Sequence, residues 1–227
     1  FFRLLLSCAT QKPRKIASLT FDFWLSLQDT PVAERHPYTH QEIFENLLEI
    51  LLKQSMYPSD FINWEEDAGD DDEDDFKDFR DRRHGIQEVM LLTCHALRGR
   101  FFELLSNTLG QASANGEGSP GTHSGDTVTL ASGACAARNG WQTIESCLFL
   151  LQNCMEAVKG MVKSESDGEE ALNFLTKALH LIFSLPDTIV AHPAFQTTLC
   201  QALGSLTFLL TNSTLGKASV SDESPFT

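Results

Sequence analysis

In Trp141-Gln142-Thr143-Ile144-Glu145-Ser146-Cys147-Leu148-Phe149-Leu150-Leu151-Gln152-Asn153-Cys154-Met155-Glu156-Ala157-Val158, the residues Trp141, Ile144, Leu148, Leu151, Met155 and Val158 recur at steps of three, four, three, four and three. An α-helix turns once every 3.6 residues, so that spacing puts all six side chains on one stripe and predicts an amphipathic helix. Downstream, Ala171, Leu175, Ala178, Ile182 and Leu185 define a second helix that Pro186 ends. Phe195, Leu199, Ala202, Leu206 and Leu209 define a third.

Upstream, residues 110–139 are rich in Gly, Ser, Ala, Thr and Asn, and Val128 and Leu130 are their main large apolar side chains. Such a composition does not offset the entropy of ordering it, which predicts a disordered insertion. From Phe76 to Leu109 helical spacing returns through Phe79, Ile86, Met90, Leu97, Phe101 and Leu104. Gly85 and Gly99 mark bends, leaving one long helix or two.

Ile43, Phe44, Leu47, Leu48, Ile50, Leu51 and Leu52 give a broad apolar face to a helix from Thr39 to about Met56, and Thr39 with Glu42 has the form of a capping box. Ile16, Leu19, Phe23 and Leu27, widened by Trp24, predict a helix over 14–28, closed by Pro31 and Pro37. Leu4 to Leu6 read as the end of another.

No stretch alternates with period two for long enough to propose a sheet. The expected fold is all-α: an α-solenoid of HEAT-like antiparallel helix pairs, inferred from packing periodicity without an internal repeat. Its divisions are 1–109 with an acidic inter-repeat loop at 57–75, the insertion at 110–139, helices over 140–212, and a flexible tail or truncated linker over 213–227. The start at Phe1, without Met or a basic leader region, suggests a piece of a longer chain.

The acidic loop dominates the charge. Glu65, Glu66, Asp67, Asp70, Asp71, Asp72, Glu73, Asp74 and Asp75 are nine of eleven consecutive residues. Removing them from the 31 acidic residues leaves 22 against 17 Lys and Arg, so most of the formal charge of -14 is local. Without a basic cluster to neutralise phosphates, direct nucleic-acid binding is disfavoured; an acidic surface attracts basic proteins. The run is therefore the candidate partner-binding site, and a purely solvated loop is its alternative. Arg80, Arg82 and Arg83 follow closely, either to pair with it or to meet an external partner.

Metal and catalytic chemistry find little support. The acids are contiguous, whereas an EF-hand alternates its ligands around a central glycine and ends on a bidentate Glu. His36 and His40 have metal-pair spacing, but Pro37 intervenes and a third ligand is not evident. Cys94 and His95 are adjacent, so on a helix their side chains diverge. Cys147 and Cys154 read as core thiols. Gly216-Lys217-Ala218-Ser219 lacks a phosphate loop's upstream glycines.

These features point to a non-enzyme without metal or cofactor. Six cysteines with no CxxC pair favour a reducing compartment, and Asn212-Ser213-Thr214 is read as a chance sequon. No apolar run approaches the ~20 residues that cross a bilayer, so membrane insertion is not expected.

Ser18-Leu19-Thr20-Phe21-Asp22-Phe23-Trp24-Leu25-Ser26-Leu27, Tyr57-Pro58, the acidic run leading into Phe76-Lys77-Asp78-Phe79-Arg80, and Trp141 through Phe149 occur in that order. Together they resemble the central part of nuclear transport receptors of the importin-β (karyopherin) superfamily, in the transportin-SR and importin-thirteen branch. The likeness covers about residues 14–105 and 140–212. It departs in the length of the acidic run and in the 110–139 segment.

The resemblance implies HEAT repeats that wrap protein cargo and the small GTPase Ran, with nucleoporins as further partners and the cytoplasm and nucleus as locations. It implies no catalysis. A HEAT or armadillo scaffold for complex assembly is the alternative.

Overall fold

The computed structural model describes residues 1–30, 34–36, 39, 41–58, 61, 71–81, 85–116, 140–164, 168–185 and 187–211. Among them are twelve α-helices and no strand: α1 (Phe2–Ala9), α2 (Arg14–Ser18), α3 (Phe21–Ser26), α4 (Gln41–Ser55), α5 (Asp71–Asp81), α6 (Ile86–Leu97), α7 (Gly99–Gly116), α8 (Gly140–Asn153), α9 (Met155–Val162), α10 (Gly168–Phe183), α11 (Asp187–Val190) and α12 (Pro193–Thr211). The fold is all-helical. The tail at 213–227, the sequon and residues 216–219 lie outside the described residues.

The helix expected over 14–28 is two short ones. Thr20 turns back so that its N–H and its hydroxyl both donate to the Ala17 carbonyl, which ends α2 and restarts the chain as α3. The turn rotates the stripe. Ala17, Phe21 and Trp24 are buried, while Leu19, expected inside, is 78% exposed. Helices this short are marginal alone, so burial of Trp24 and Phe21, worth roughly 1.5–3 kcal/mol per large side chain, holds them in place.

α4 buries Phe44, Leu47, Leu48, Leu51 and Leu52. Its end is tied down by side chains from earlier in the chain. Arg14 donates to the Gln54 and Met56 carbonyls, and Gln54 donates back to the carbonyls of Ala9 and Gln11. The expected capping box at its start is replaced by a turn, since the N–H and hydroxyl of Thr39 both donate to the His36 carbonyl.

The stretch expected as one or two helices from Phe76 to Leu109 forms parts of three. α6 starts after Gly85, as the glycine suggested. Its junction with α7 is Arg98, which sits at φ 50°, a backbone region that costs most residues free energy, with Gly99 next in line. α7 then runs on to Gly116, so residues 110–116 of the expected insertion are helical. Leu109 and Ala112 are buried in the core, and that packing outweighs the poor helix propensity of Gly110. Residues 117–139 lie outside the described residues.

α8 and α9 divide at Cys154, yet Cys154 N–H donates to Leu150 O and Val158 N–H to Cys154 O. The hydrogen-bond ladder therefore crosses the break. Ile144, Leu148, Leu151, Met155 and Val158 all stay buried, as their spacing requires.

Helix packing follows two series. α8 packs against both α4 and α12, while α3 packs on α6 and α7 on α10. The series meet where α4 packs on α6, α7 on α8 and α9 on α10. One continuous apolar core runs through them. A smaller cluster of Tyr57, Phe61, Phe76 and Ala194, with Trp141 against it, lies beside α5.

Glycines test these packing claims. A Cβ on Gly168, the first residue of α10, would lie 2.8 Å from the Val162 carbonyl oxygen, whereas one on Gly160 or Gly204 would meet nothing within 4 Å. Gly168→Ala should therefore lower stability by about 1–3 kcal/mol. Gly204→Ala, inside α12, should raise it by about 0.5–1 kcal/mol. Urea unfolding midpoints of the two variants should move in opposite directions.

Candidate functional site

The acidic run is not wholly a loop. Asp71, Asp72, Glu73, Asp74 and Asp75 are the first five residues of α5, which was expected to begin near Phe76. A helix start leaves backbone N–H groups unpaired and carries a partial positive charge, so carboxylates there stabilise it by about 0.3–1 kcal/mol each. Dense negative charge is thus compatible with a first helical turn. Glu65, Glu66, Asp67 and Asp70 lie outside the described residues.

The second half of α5 holds the helix to the fold. Phe76 is 1% exposed, with the Arg14 guanidinium 4.1 Å over its ring and Tyr57 edge-on at 5.3 Å. Phe79 packs on Phe21 at 5.6 Å.

Arg80, expected either to pair with the acidic run or to meet an external partner, turns inward to Glu145 instead. Its Nη2 donates to Glu145 Oε1 at 2.6 Å, and its Nη1 donates to Glu145 Oε2 at 3.0 Å and to the Ser55 carbonyl at 3.0 Å. The guanidinium lies between Tyr57, 4.5 Å away, and Phe149, 3.9 Å away. A planar cation is suited to that slot because it stacks on both faces while forking onto a carboxylate. Arg82 and Arg83 lie outside the described residues.

Glu145 is fully buried, and Thr198 of α12 donates its hydroxyl to Oε1. Beside it, the Ser55 and Ser146 hydroxyls sit 2.7 Å apart and share the Leu52 carbonyl. One carboxylate therefore joins α5, the end of α4, α8 and α12. Apolar spacing did not reveal Glu145, Thr198, Ser55 or Arg14. The available signal was a charged residue next to Ile144, on a helix whose apolar stripe the spacing predicts.

Burial also governs the titrating groups. It raises the Tyr57 phenol to about 12, with Glu145 adding to the effect and Arg80 opposing it. It raises the Cys147 thiol to about 12 as well, again with Glu145 contributing. Cys154, beside Cys94, is raised by burial first and by that neighbour second. These core thiols are protonated and unreactive at neutral pH.

Cys94 is buried while His95 on the next position faces solvent, so the two do not converge. Of the histidine pair, His36 is described and His40 is not. Among the described residues, no group of three or more His, Cys, Asp or Glu could hold a metal, and no helix is long and apolar enough to cross a membrane. A groove of about 390 Å³ between α4, α7 and α8 has Leu52, Met56 and Leu104 on its walls and Glu45 at its edge. Glu45 is held below the usual carboxylate range chiefly by its hydrogen bond from Arg100. Among the described residues, the most developed polar arrangement is the buried charge pair of Arg80 and Glu145.

No family model, curated protein or solved structure matches the chain.

Removing one partner of a buried ion pair strands the other charge. Arg80→Met or Glu145→Leu alone should cost about 3–5 kcal/mol, and the double variant much less than the sum. Equal and additive losses in denaturant unfolding would contradict the pairing.

The Tyr57 proton gives a pH signature. Its folded value of about 12 exceeds the reference of 10.0, so the native state binds the proton more tightly. The associated stability is full below pH 10 and declines as pH rises toward 12, by about 1.4 kcal/mol per unit. Tyr57→Phe should remove that part of the alkaline slope in unfolding free energies.

Proposed function

We propose that this chain is part of a partner-binding helical scaffold of the importin-β type, taking protein cargo and Ran GTPase, with nucleoporins as further partners, in the cytoplasm and nucleus. The observation that carries the reading is a convergence. The stretches behind the resemblance are far apart in the chain, yet Tyr57, Phe76, Arg80, Trp141, Glu145 and Phe149 meet in one cluster, and Phe21 joins it through Phe79.

Layered packing, with α4, α8 and α12 against α6, α7 and α10, also supports HEAT-like pairs stacked as an α-solenoid. On this reading the chain does no covalent chemistry. The acidic segment meets a basic face of Ran or cargo, and long-range attraction accelerates the encounter.

Two experiments test this. Ran locked in its GTP state should be retained by this protein in preference to the GDP form; no nucleotide-dependent retention would leave only a general assembly scaffold. Changing the nine acids to Asn and Gln should slow association with a basic partner and flatten its salt dependence, since screening acts over ~8 Å at physiological ionic strength. An unchanged on-rate at low salt would make the run a solvated segment.

A further inference from the structure

We infer that Glu145 is a coupling element that makes the docking of α5 and the seating of α12 a single event. This coupling belongs to the fold's own mechanics and does not depend on a basic partner binding the acidic run. The Glu145 carboxylate accepts two from Arg80 of α5 and one from Thr198 of α12, and it has no exposure to water.

Suppose α5 lifts away. Arg80 leaves with it, and the carboxylate keeps only the Thr198 hydrogen bond, a costly state for a charge. Water or a proton must reach it to relieve that cost. With the α5 side open, water competes with the Thr198 hydroxyl for the carboxylate, so α12 loses a hydrogen bond that had fixed its middle. In the opposite direction, loosening α12 admits water to Glu145 and weakens its hold on Arg80.

A second contact runs the same way. Phe76 of α5 and Ala194 of α12 belong to the same small apolar cluster, joined through Tyr57, Phe61 and Trp141. Movement of α5 therefore unpacks the start of α12 as well as its middle. Because α5 begins with Asp71 through Asp75, force or binding at that charged end is transmitted across α8 to the last described helix.

Hydrogen exchange followed residue by residue tests the coupling on the 227-residue chain. Thr198→Val removes one hydroxyl that bonds Glu145 and makes no hydrogen bond to α5. It should speed exchange of the Phe76–Asp81 amides about tenfold, as expected for losing a hydrogen bond to a charged group. Arg80→Met should reciprocally speed exchange around Thr198, since coupling between two sites is symmetric.

If Thr198→Val changes only α12, or Arg80→Met only α5, Glu145 is a local fastener and the inference fails. If Arg80→Met does not fold, the Arg80→Met, Glu145→Leu pair supplies a background without buried charge. Adding Thr198→Val there should leave α5 exchange unchanged. An acceleration that persists would show that the coupling bypasses Glu145 and would overturn it.

Discussion

A carboxylate with no access to water organises this molecule. An isolated buried charge costs several kcal/mol, a large fraction of a domain's net stability, so Glu145 persists only where its oxygens are satisfied. Arg80 and Thr198 supply the donors, and each arrives on a different helix. Apolar packing supplies most of the energy, but many helix arrangements bury leucines equally well. Far fewer also deliver a guanidinium fork and a hydroxyl to one point, so the ion pair selects among them.

The surrounding aromatic residues serve that selection. Tyr57 and Phe149 hold the guanidinium plane on either side, and Arg14 covers the ring of Phe76 while closing the end of α4. The acidic run is thus mounted on an element fixed by cations that are already engaged.

The sequence shows the helices and their buried stripes wherever the periodicity is long, as from Trp141 to Val158. Breaks are harder to read. The turn at Thr20, the positive φ of Arg98 and the division at Cys154 leave the apolar spacing nearly undisturbed, so periodicity alone passes over them. The helix at Asp71 was hidden for another reason: charge density suggests solvent, and solvent suggests a loop, although carboxylates suit a helix start. The cluster around Glu145 was legible only in fragments. Arg80 and Glu145 are 65 residues apart, and period identifies a face without naming its partner.

The helical geometry of Asp71 to Asp75 alters what a cation would encounter. At ~1.5 Å of rise per residue, five residues occupy roughly 6 Å of axis, less than the ~8 Å screening length of physiological salt. With backbone positions this close, salt screens neighbouring charges from one another only in part, so an approaching lysine or arginine would respond to several of them at once.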